Sequence, residues 1–351
     1  MNYERGTLKI LSFLFRFLTI KLYLRINFQN SVLVEIGYDV QRAKTILEAS
    51  GLVGIPTETV YGLAANCFDT QAVASIFEVK DRPSFDPLIV HVPDRKAIDY
   101  FVEELPAKAE MLAKAFWPGP LTLVLRKKPI LPDIVTSGLD TVAVRVPDHP
   151  LTLELLQALD FPLAAPSANP FGYVSPTSAK HVAHQLGDKI SYILDGGLCR
   201  VGVESTIVGF EDGMPTIYRP GGIALEDIEA CIGTVKHMEH VSSNPVSPGM
   251  LKSHYAPGTK VLFGDIEKNL ITIKDKTVGV ITFCRQIEGV DPECQVILSE
   301  NCDLKEAATQ LFSGLRRLDA LNLQYILCEP VPNEGLGRAI NDRLRRAETI
   351  H

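Results

Sequence analysis

From residue 39 onward, apolar positions fall into a regular run of helix-like and strand-like segments. Asp39 is placed to cap a helix whose apolar face is Val40, Ala43, Ile46 and Leu47, and Gly51 can end it. Leu52–Ile55 reads as a short buried strand stopped by Pro56. Thr70 is a candidate cap for a second helix with Val73, Ile76 and Phe77 turned inward, and Leu88–Val92 is a strand. Further strands are predicted at Leu121–Arg126, Val142–Val146, Leu163–Ala165, Tyr192–Leu194, Thr206–Phe210 and Thr216–Arg219. Helices are predicted at Ala107–Phe116, Leu151–Leu159, Ser178–Leu186 and Leu225–Cys231. The irregular alternation points to an α/β fold whose sheet is mixed rather than purely parallel.

The pattern changes near residue 241. Ser242–Gly249 is rich in turn formers and continues through His254-Tyr255-Ala256-Pro257-Gly258, so residues 241–259 read as a linker. Residues 260–351 then form a second, smaller α/β unit. Its strands are Val278–Cys284, Val296–Leu298 and Tyr325–Cys328, and its helices are Leu304–Leu318 and the basic Gly337–Ala347. The first 35 residues stand apart. Between Arg5 and Glu35 there is no acid, and basic residues interrupt an apolar run too short for the ~20 residues of a spanning helix. Residues 1–35 are expected to be an extension upstream of a functional start near Ile36; a targeting or interfacial helix is the alternative.

Composition narrows the class. With 351 residues, 46% hydrophobic and 22% charged, the chain is long enough for two cored domains. A net charge of -7 gives no global basic footprint for nucleic acid, although a local basic cleft remains open. The seven cysteines are dispersed without a C-x-x-C pair, so buried thiols in a reducing cytoplasm are expected rather than disulfides or zinc. His181 and His184 lie three apart with no third ligand in view and read as a solvated helix face. The phosphate-loop, dinucleotide-loop and serine-elbow patterns are all missing.

What remains is a set of polar loops bounded by Pro and Gly. Pro56–Gly62 carries two threonines and a tyrosine at a strand end, suited to a small polar ligand or to a structural turn. Lys80 and Arg82, two apart before Pro83, face one pocket if the segment is extended, and a Lys–Arg pair suits a triphosphate. The alternative is two cations complementing a helix C-terminus. Ala164–Gly172 breaks from small apolar residues into Pro-Ser-Ala-Asn-Pro, offering the Ser167 hydroxyl and the Asn169 amide; an Asx-type turn is the alternative. Gly202–Val208 is a polar step into a strand, and Arg219-Pro220-Gly221-Gly222 holds a cation at a strand end.

Together and in this order, these segments resemble the YrdC-like threonylcarbamoyl-AMP synthases in their long, two-domain form. The motifs are Pro56–Leu63, Lys80–Pro83 ahead of Pro87–His91, Pro166–Asn169, Ser205–Val208 and Arg219–Ile223. The long form adds Ser247–Pro257 and Asn333–Leu344. The likeness spans roughly residues 36–347. It implies an α/β fold with an N-terminal YrdC-like twisted mixed sheet and flanking helices (residues 36–240), a linker or lid (241–259), and a smaller C-terminal α/β, Rossmann-like domain. It implies a nucleotidyltransferase that joins L-threonine, bicarbonate or CO2, and ATP into L-threonylcarbamoyladenylate and pyrophosphate, for tRNA modification.

By the same resemblance Lys80, Arg82, Ser167 and Asn169 form the catalytic set. Thr59, His91, Arg145, Ala165 and Ser205 match threonine-holding positions, and Arg82, Asp86, Thr141, Ser167, Ser175, Arg219 and Tyr255 match positions around ATP. Many members have Asn where this chain has Asp86, and a carboxylate there would repel phosphate unless it faces ribose or magnesium. Mg2+ is expected to arrive with ATP and to take few protein ligands. A separate tRNA threonylcarbamoyl transferase complex is the expected recipient of the product. Direct tRNA binding is expected to be weak and membrane association absent, with the protein in the cytoplasm.

Overall fold

The structure is a computed structural model, and it describes residues 34–238, 254–273 and 276–348. Residues 1–33 of the expected extension and most of the 241–259 linker lie outside the described residues, and Glu35 already belongs to the first strand. One large sheet carries β1 (Glu35–Gly37), β2 (Val53–Ile55), β3 (Gly62–Asn66), β4 (Ile89–His91), β5 (Leu121–Arg126), β6 (Thr141–Arg145), β7 (Leu163–Ala164), β8 (Tyr192–Leu194), β9 (Thr206–Glu211), β10 (Met214–Arg219) and β11 (Lys236–His237). Their order is β1-β8-β2-β3-β7-β4-β6-β5-β9-β10-β11. The sheet is mixed, as expected: β4 and β6 run parallel, whereas β5 and β6 run antiparallel.

Helices pack on the sheet where the periodicity places them. Asp39 caps Val40–Glu48 by accepting from the Arg42 amide. The next helix, Thr70–Lys80, corrects one detail: its cap is Asp69, which accepts from the amides of Gln71 and Ala72, and Thr70 is already helical. An aspartate carboxylate accepts both amides at once, so it outcompetes the neighbouring hydroxyl. Leu63, Val73, Ile76, Leu88, Val90, Leu123 and Val144 meet in the main core. β1, β3 and β11 are too short or too rich in small residues to be legible as strands.

The second sheet is fully parallel, with β12 (Lys260–Phe263), β13 (Val278–Thr282), β14 (Gln295–Ile297) and β15 (Tyr325–Cys328) in the order β12-β15-β13-β14. The two units share an apolar cluster. Val60, Val174 and Val203 of the first pack with Tyr255 and with Phe312, Leu315 and Ile340 of the second. Hydrogen bonds tie the seam: Arg316 Nε donates to the Ser175 carbonyl at 3.3 Å and its Nη2 to Gln185 Oε1 at 2.8 Å. One expectation is overturned here. Cys284 and Cys302 form a disulfide across a sequence separation of 18 residues. β13 and β14 are parallel neighbours, so the loops that follow them meet at one end of the sheet and bring together two cysteines that sequence spacing leaves apart.

Candidate active site

Strand ends in the large sheet deliver the site. β4 ends in His91 and β6 in Arg145, and parallel pairing sets these two residues side by side. Gly62, which opens β3, bridges to Ser167. A Cβ at Gly62 would sit 3.3 Å from the Ala165 Cβ, so this close approach of two loops favours glycine. On β10 a register shift between Ile217 and Arg219 turns the arginine out of the strict alternation. Arg219 Nη2 then donates to the Ser205 carbonyl at 3.0 Å and to Ser205 Oγ at 3.2 Å.

These ends surround a cavity lined by Thr57, Thr59, Arg82, His91, Arg145, Ala165, Ser167, Glu204, Ser205, Arg219, His254 and Tyr255, among others. Nine of the expected positions therefore converge: Thr59, Arg82, His91, Arg145, Ala165, Ser167, Ser205, Arg219 and Tyr255. The other five stand off the lining. Lys80 is fully buried, and its Nζ donates to the Ser167 carbonyl at 2.6 Å and to the Asn169 carbonyl. It anchors the Pro166–Pro170 loop from behind. Asn169 turns its amide nitrogen to the Pro170 and Tyr173 carbonyls at 2.8 and 2.9 Å. Ser175 is buried one layer back, donating to Glu204. Thr141 opens the strand that Arg145 closes, so it sits at the far end of β6.

Asp86 is the fifth. It is buried, and its Oδ2 lies 2.9 Å from Arg82 Nη2, so it clamps the arginine instead of facing the cavity. The backbone helps, because Arg82 Nε and Nη2 donate to the Asp86 and Pro87 carbonyls at 3.0 and 2.7 Å. The expected convergence of Lys80 and Arg82 on one pocket is met only by Arg82, because Lys80 stays behind the Ser167 loop. Lys80 ends its helix, and Asp81 takes a left-handed conformation (φ 53°) before Arg82. Burial pushes the Lys80 ammonium well below its ordinary pKa, and neighbouring Arg82 adds to the effect.

Several residues of the site escaped sequence reading. Glu58 pairs with Arg145 at 2.7 Å inside the core and accepts the Asp148 amide at 3.0 Å. Thr57 Oγ1 donates to the Val60 carbonyl at 2.6 Å, shaping the loop that presents Thr59. Both lie in the Pro56–Gly62 segment already singled out, which was the available signal. Glu204 had only its place beside Ser205. Burial and then Arg145 push the His91 imidazole down to about 3, so it is neutral at pH 7. Burial does the same to His254, also to about 3.

His254 and Tyr255 form one wall of the cavity. Tyr255 is fully buried with φ 67°, stacks on Phe312 at 5.7 Å and leaves its hydroxyl without a hydrogen-bond partner. The space left is about 50 Å³. Sites for drug-sized ligands span roughly 300–1,000 Å³.

A mixed α/β sheet with arginines at its strand ends beside hydroxyl-bearing loops defines an anion-binding enzyme domain, here joined to a second α/β domain. Comparison with known proteins is specific. The family model described as "Telomere recombination", for Sua5, YciO and YrdC proteins, matches residues 45–221. The model described as "Threonylcarbamoyl-AMP synthase, C-terminal domain" matches residues 223–348. A threonylcarbamoyl-AMP synthase of Pyrococcus abyssi is 42% identical over 88% of this chain and 94% of its own. One from Bacillus subtilis is 41% identical over 88% and 92%. The crystal structure of P. abyssi Sua5 complexed with L-threonine superposes with a TM-score of 0.84 at 39% identity, covering 91% of this chain and 99% of that one. The chain belongs to the threonylcarbamoyl-AMP synthase family, in its two-domain form.

Proposed function

We propose that this chain makes L-threonylcarbamoyladenylate from L-threonine, bicarbonate or CO2, and ATP, releasing pyrophosphate. One observation carries the reading: one cavity brings together Arg82, Arg145 and Arg219 with Ser167, Ser205 and Thr59. Arg145 suits the threonine carboxylate, because a guanidinium fork matches it. His91, neutral beside that arginine, offers a hydrogen-bond acceptor to the amino group without adding charge. The neutral amine attacks CO2 and gives up a proton to leave a carbamate, a carbamate oxygen attacks the α-phosphorus, and pyrophosphate departs. Positioning and charge stabilisation dominate such a transfer. Arg82 and Arg219 supply the fixed charge, and Lys80 keeps the Ser167 loop in place.

Mg2+ fits this site as a companion of the triphosphate, where it would neutralise phosphate charge. The nearby carboxylates are committed to arginines, Asp86 to Arg82 and Glu204 to Arg343, so phosphate and water would supply its ligands. Enclosure by His254 and Tyr255 shelters a carbamate from water. The product passes to a separate transferase complex acting on tRNA. An RNA-binding reading draws little support from the basic C-terminal helix: Arg338 pairs with Glu226, Arg343 with Glu204 and Arg346 with Asp342, which leaves Arg345, exposed over the Phe263 ring.

No helix among the described residues is long and apolar enough to cross a membrane. We place the enzyme with tRNA in the cytoplasm, where the Cys284–Cys302 pair would meet reducing conditions. The deciding experiment is pyrophosphate release from ATP with and without L-threonine and bicarbonate. Release that needs both supports the proposal, and release indifferent to threonine removes it.

A further inference from the structure

A buried cation from the C-terminal domain reaches the wall of the cavity. Arg343, on helix Gly337–Ala347, has no exposed surface. Its Nε donates to Glu204 Oε2 at 2.7 Å and its Nη1 to Asp342 Oδ2 at 2.6 Å. Glu204 Oε1 in turn accepts from Ser175 Oγ at 2.5 Å. The guanidinium carbon lies 5.0 Å from the centre of the Tyr255 ring. Glu204 and Tyr255 both line the cavity.

A buried ion pair is weak evidence for stability, because desolvation cancels much of the attraction. If Arg343 served packing alone, an apolar side chain would do as well, and all five of its N–H donors would be expected to find partners. Instead Nη2 is buried without a hydrogen-bond partner. Burial pushes the Glu204 carboxyl up, but Arg343, Arg219 and the Ser175 hydroxyl outweigh it and hold the group at about 2. An ionised Glu204 takes the Ser175 proton in its hydrogen bond, so Ser175 turns lone pairs elsewhere. Arg343 thus fixes Glu204 and packs on the Tyr255 ring, both of which line the cavity, while Ser175 is held behind Glu204.

We propose that Arg343 is a positioning residue for the nucleotide, supplied by the second domain, which fixes the Glu204 carboxylate, the Ser175 hydroxyl and the Tyr255 ring. This rests on the proposed synthase reaction and adds that the C-terminal domain builds part of the ATP side while leaving the threonine side alone. Among the described residues no hydrogen bond or ion pair joins Arg343 to Arg145 or His91, the threonine-side groups; Arg145 pairs with Glu58 instead.

The test compares wild type with Arg343→Met, Arg343→Lys and the double variant Glu204→Gln/Arg343→Met. ATP KM and kcat are read from pyrophosphate release, threonine affinity from calorimetry and folding from thermal melting. Arg343→Met is expected to raise the ATP KM by about tenfold or more while threonine affinity stays within about twofold. Arg343→Lys should recover only part of the loss, since an ammonium cannot fork. Arg343→Met strands Glu204 in the interior, so the double variant removes both charges and keeps the question open if the single one folds poorly. The ATP-specific loss should persist in it.

Wild-type turnover is read first, and its absence overturns the synthase reading and this inference together. With wild-type turnover present, an unchanged ATP KM in Arg343→Met, a threonine affinity that falls in step, or full recovery in the double variant overturns the positioning role alone.

Discussion

The two sheets use the carboxyl ends of their strands in opposite ways. In the large sheet, β4 and β6 end in His91 and Arg145, which face a cavity. In the small sheet the same kind of edge is filled. Arg285, just after β13, donates to Glu267 at 2.5 Å and to Glu329 at 2.6 Å, and the Cys284–Cys302 disulfide ties the neighbouring loop. Open α/β sheets usually bind ligands at this edge. Here the small domain's polar contribution instead leaves through its helices, as Arg316 and Arg343. A Rossmann-like topology therefore says little about where a domain works, and the side chains at each edge decide.

The largest expected effect breaks the comparison at the cavity. Arg82 is held by two carbonyls and the Asp86 carboxylate before any ligand arrives. Such a preorganised charge is worth about 10²–10³ in kcat. Arg82→Ala should lose that much pyrophosphate release. Near-normal turnover would show that Arg82 is structural, like Arg285 in the small domain.

The next effect tests the filled edge. The disulfide closes a loop with a separation of 18 residues, and a loop near that length is worth about 3 kcal/mol. Cys302→Ser should lower the unfolding free energy by that order, measured by urea unfolding without reductant. Equal midpoints with and without reductant in wild type would remove the crosslink from the small domain's stability.

The sequence exposes these regions unequally. Most helices and core strands were legible because apolar periodicity is local: Leu121–Arg126, Ala107–Phe116 and Gly337–Ala347 emerge with the expected bounds. The cavity was legible because its residues sit in Pro- and Gly-bounded loops. The partners of those residues were not. Nothing in the spacing of Glu58 and Arg145, or of Glu204 and Arg343, reveals an ion pair; only the sheet order and the packing of the two domains make one. Asp86 shows the same limit. It was suspect as a carboxylate near phosphate, and the structure resolves the conflict by turning it onto Arg82. The Cys284–Cys302 pairing failed for the same reason.

A smaller effect separates the buried imidazoles from the surface. His91 and His254 are neutral in the folded protein, each held near about 3 by burial. Their unfolded values lie near 6.5. A depressed folded pKa means that the unfolded chain binds more protons below pH 6.5. Stability is therefore full above that value and falls as pH drops towards 3. Each histidine should cost about 1.4 kcal/mol per pH unit in that window. His91→Gln should flatten the stability slope between pH 6.5 and 5.5 by about one such increment, read from urea midpoints. An unchanged slope would mean that His91 is charged in the fold, which would break the contrast between its neutral ring and Arg145.

The smallest effect concerns the seam between the domains, which has both a buried and an exposed charge contact. Arg338 meets Glu226 at 2.5 Å across the two units, but its side chain is 26% exposed and its partner 51%. Water screens such a pair, and ordering two long side chains offsets much of the attraction, so exposed pairs contribute roughly 0.2–1 kcal/mol. Arg343, with no exposed surface, cannot be replaced so cheaply, since its loss leaves Glu204 charged in the interior. A double-mutant cycle on Arg338→Ala and Glu226→Ala should give a coupling below about 1 kcal/mol, with ATP KM unmoved. A larger coupling, or an ATP KM that shifts as it does for Arg343, would show that the two domains act on the nucleotide through their docking as a whole. The buried guanidinium would then have no special part in it.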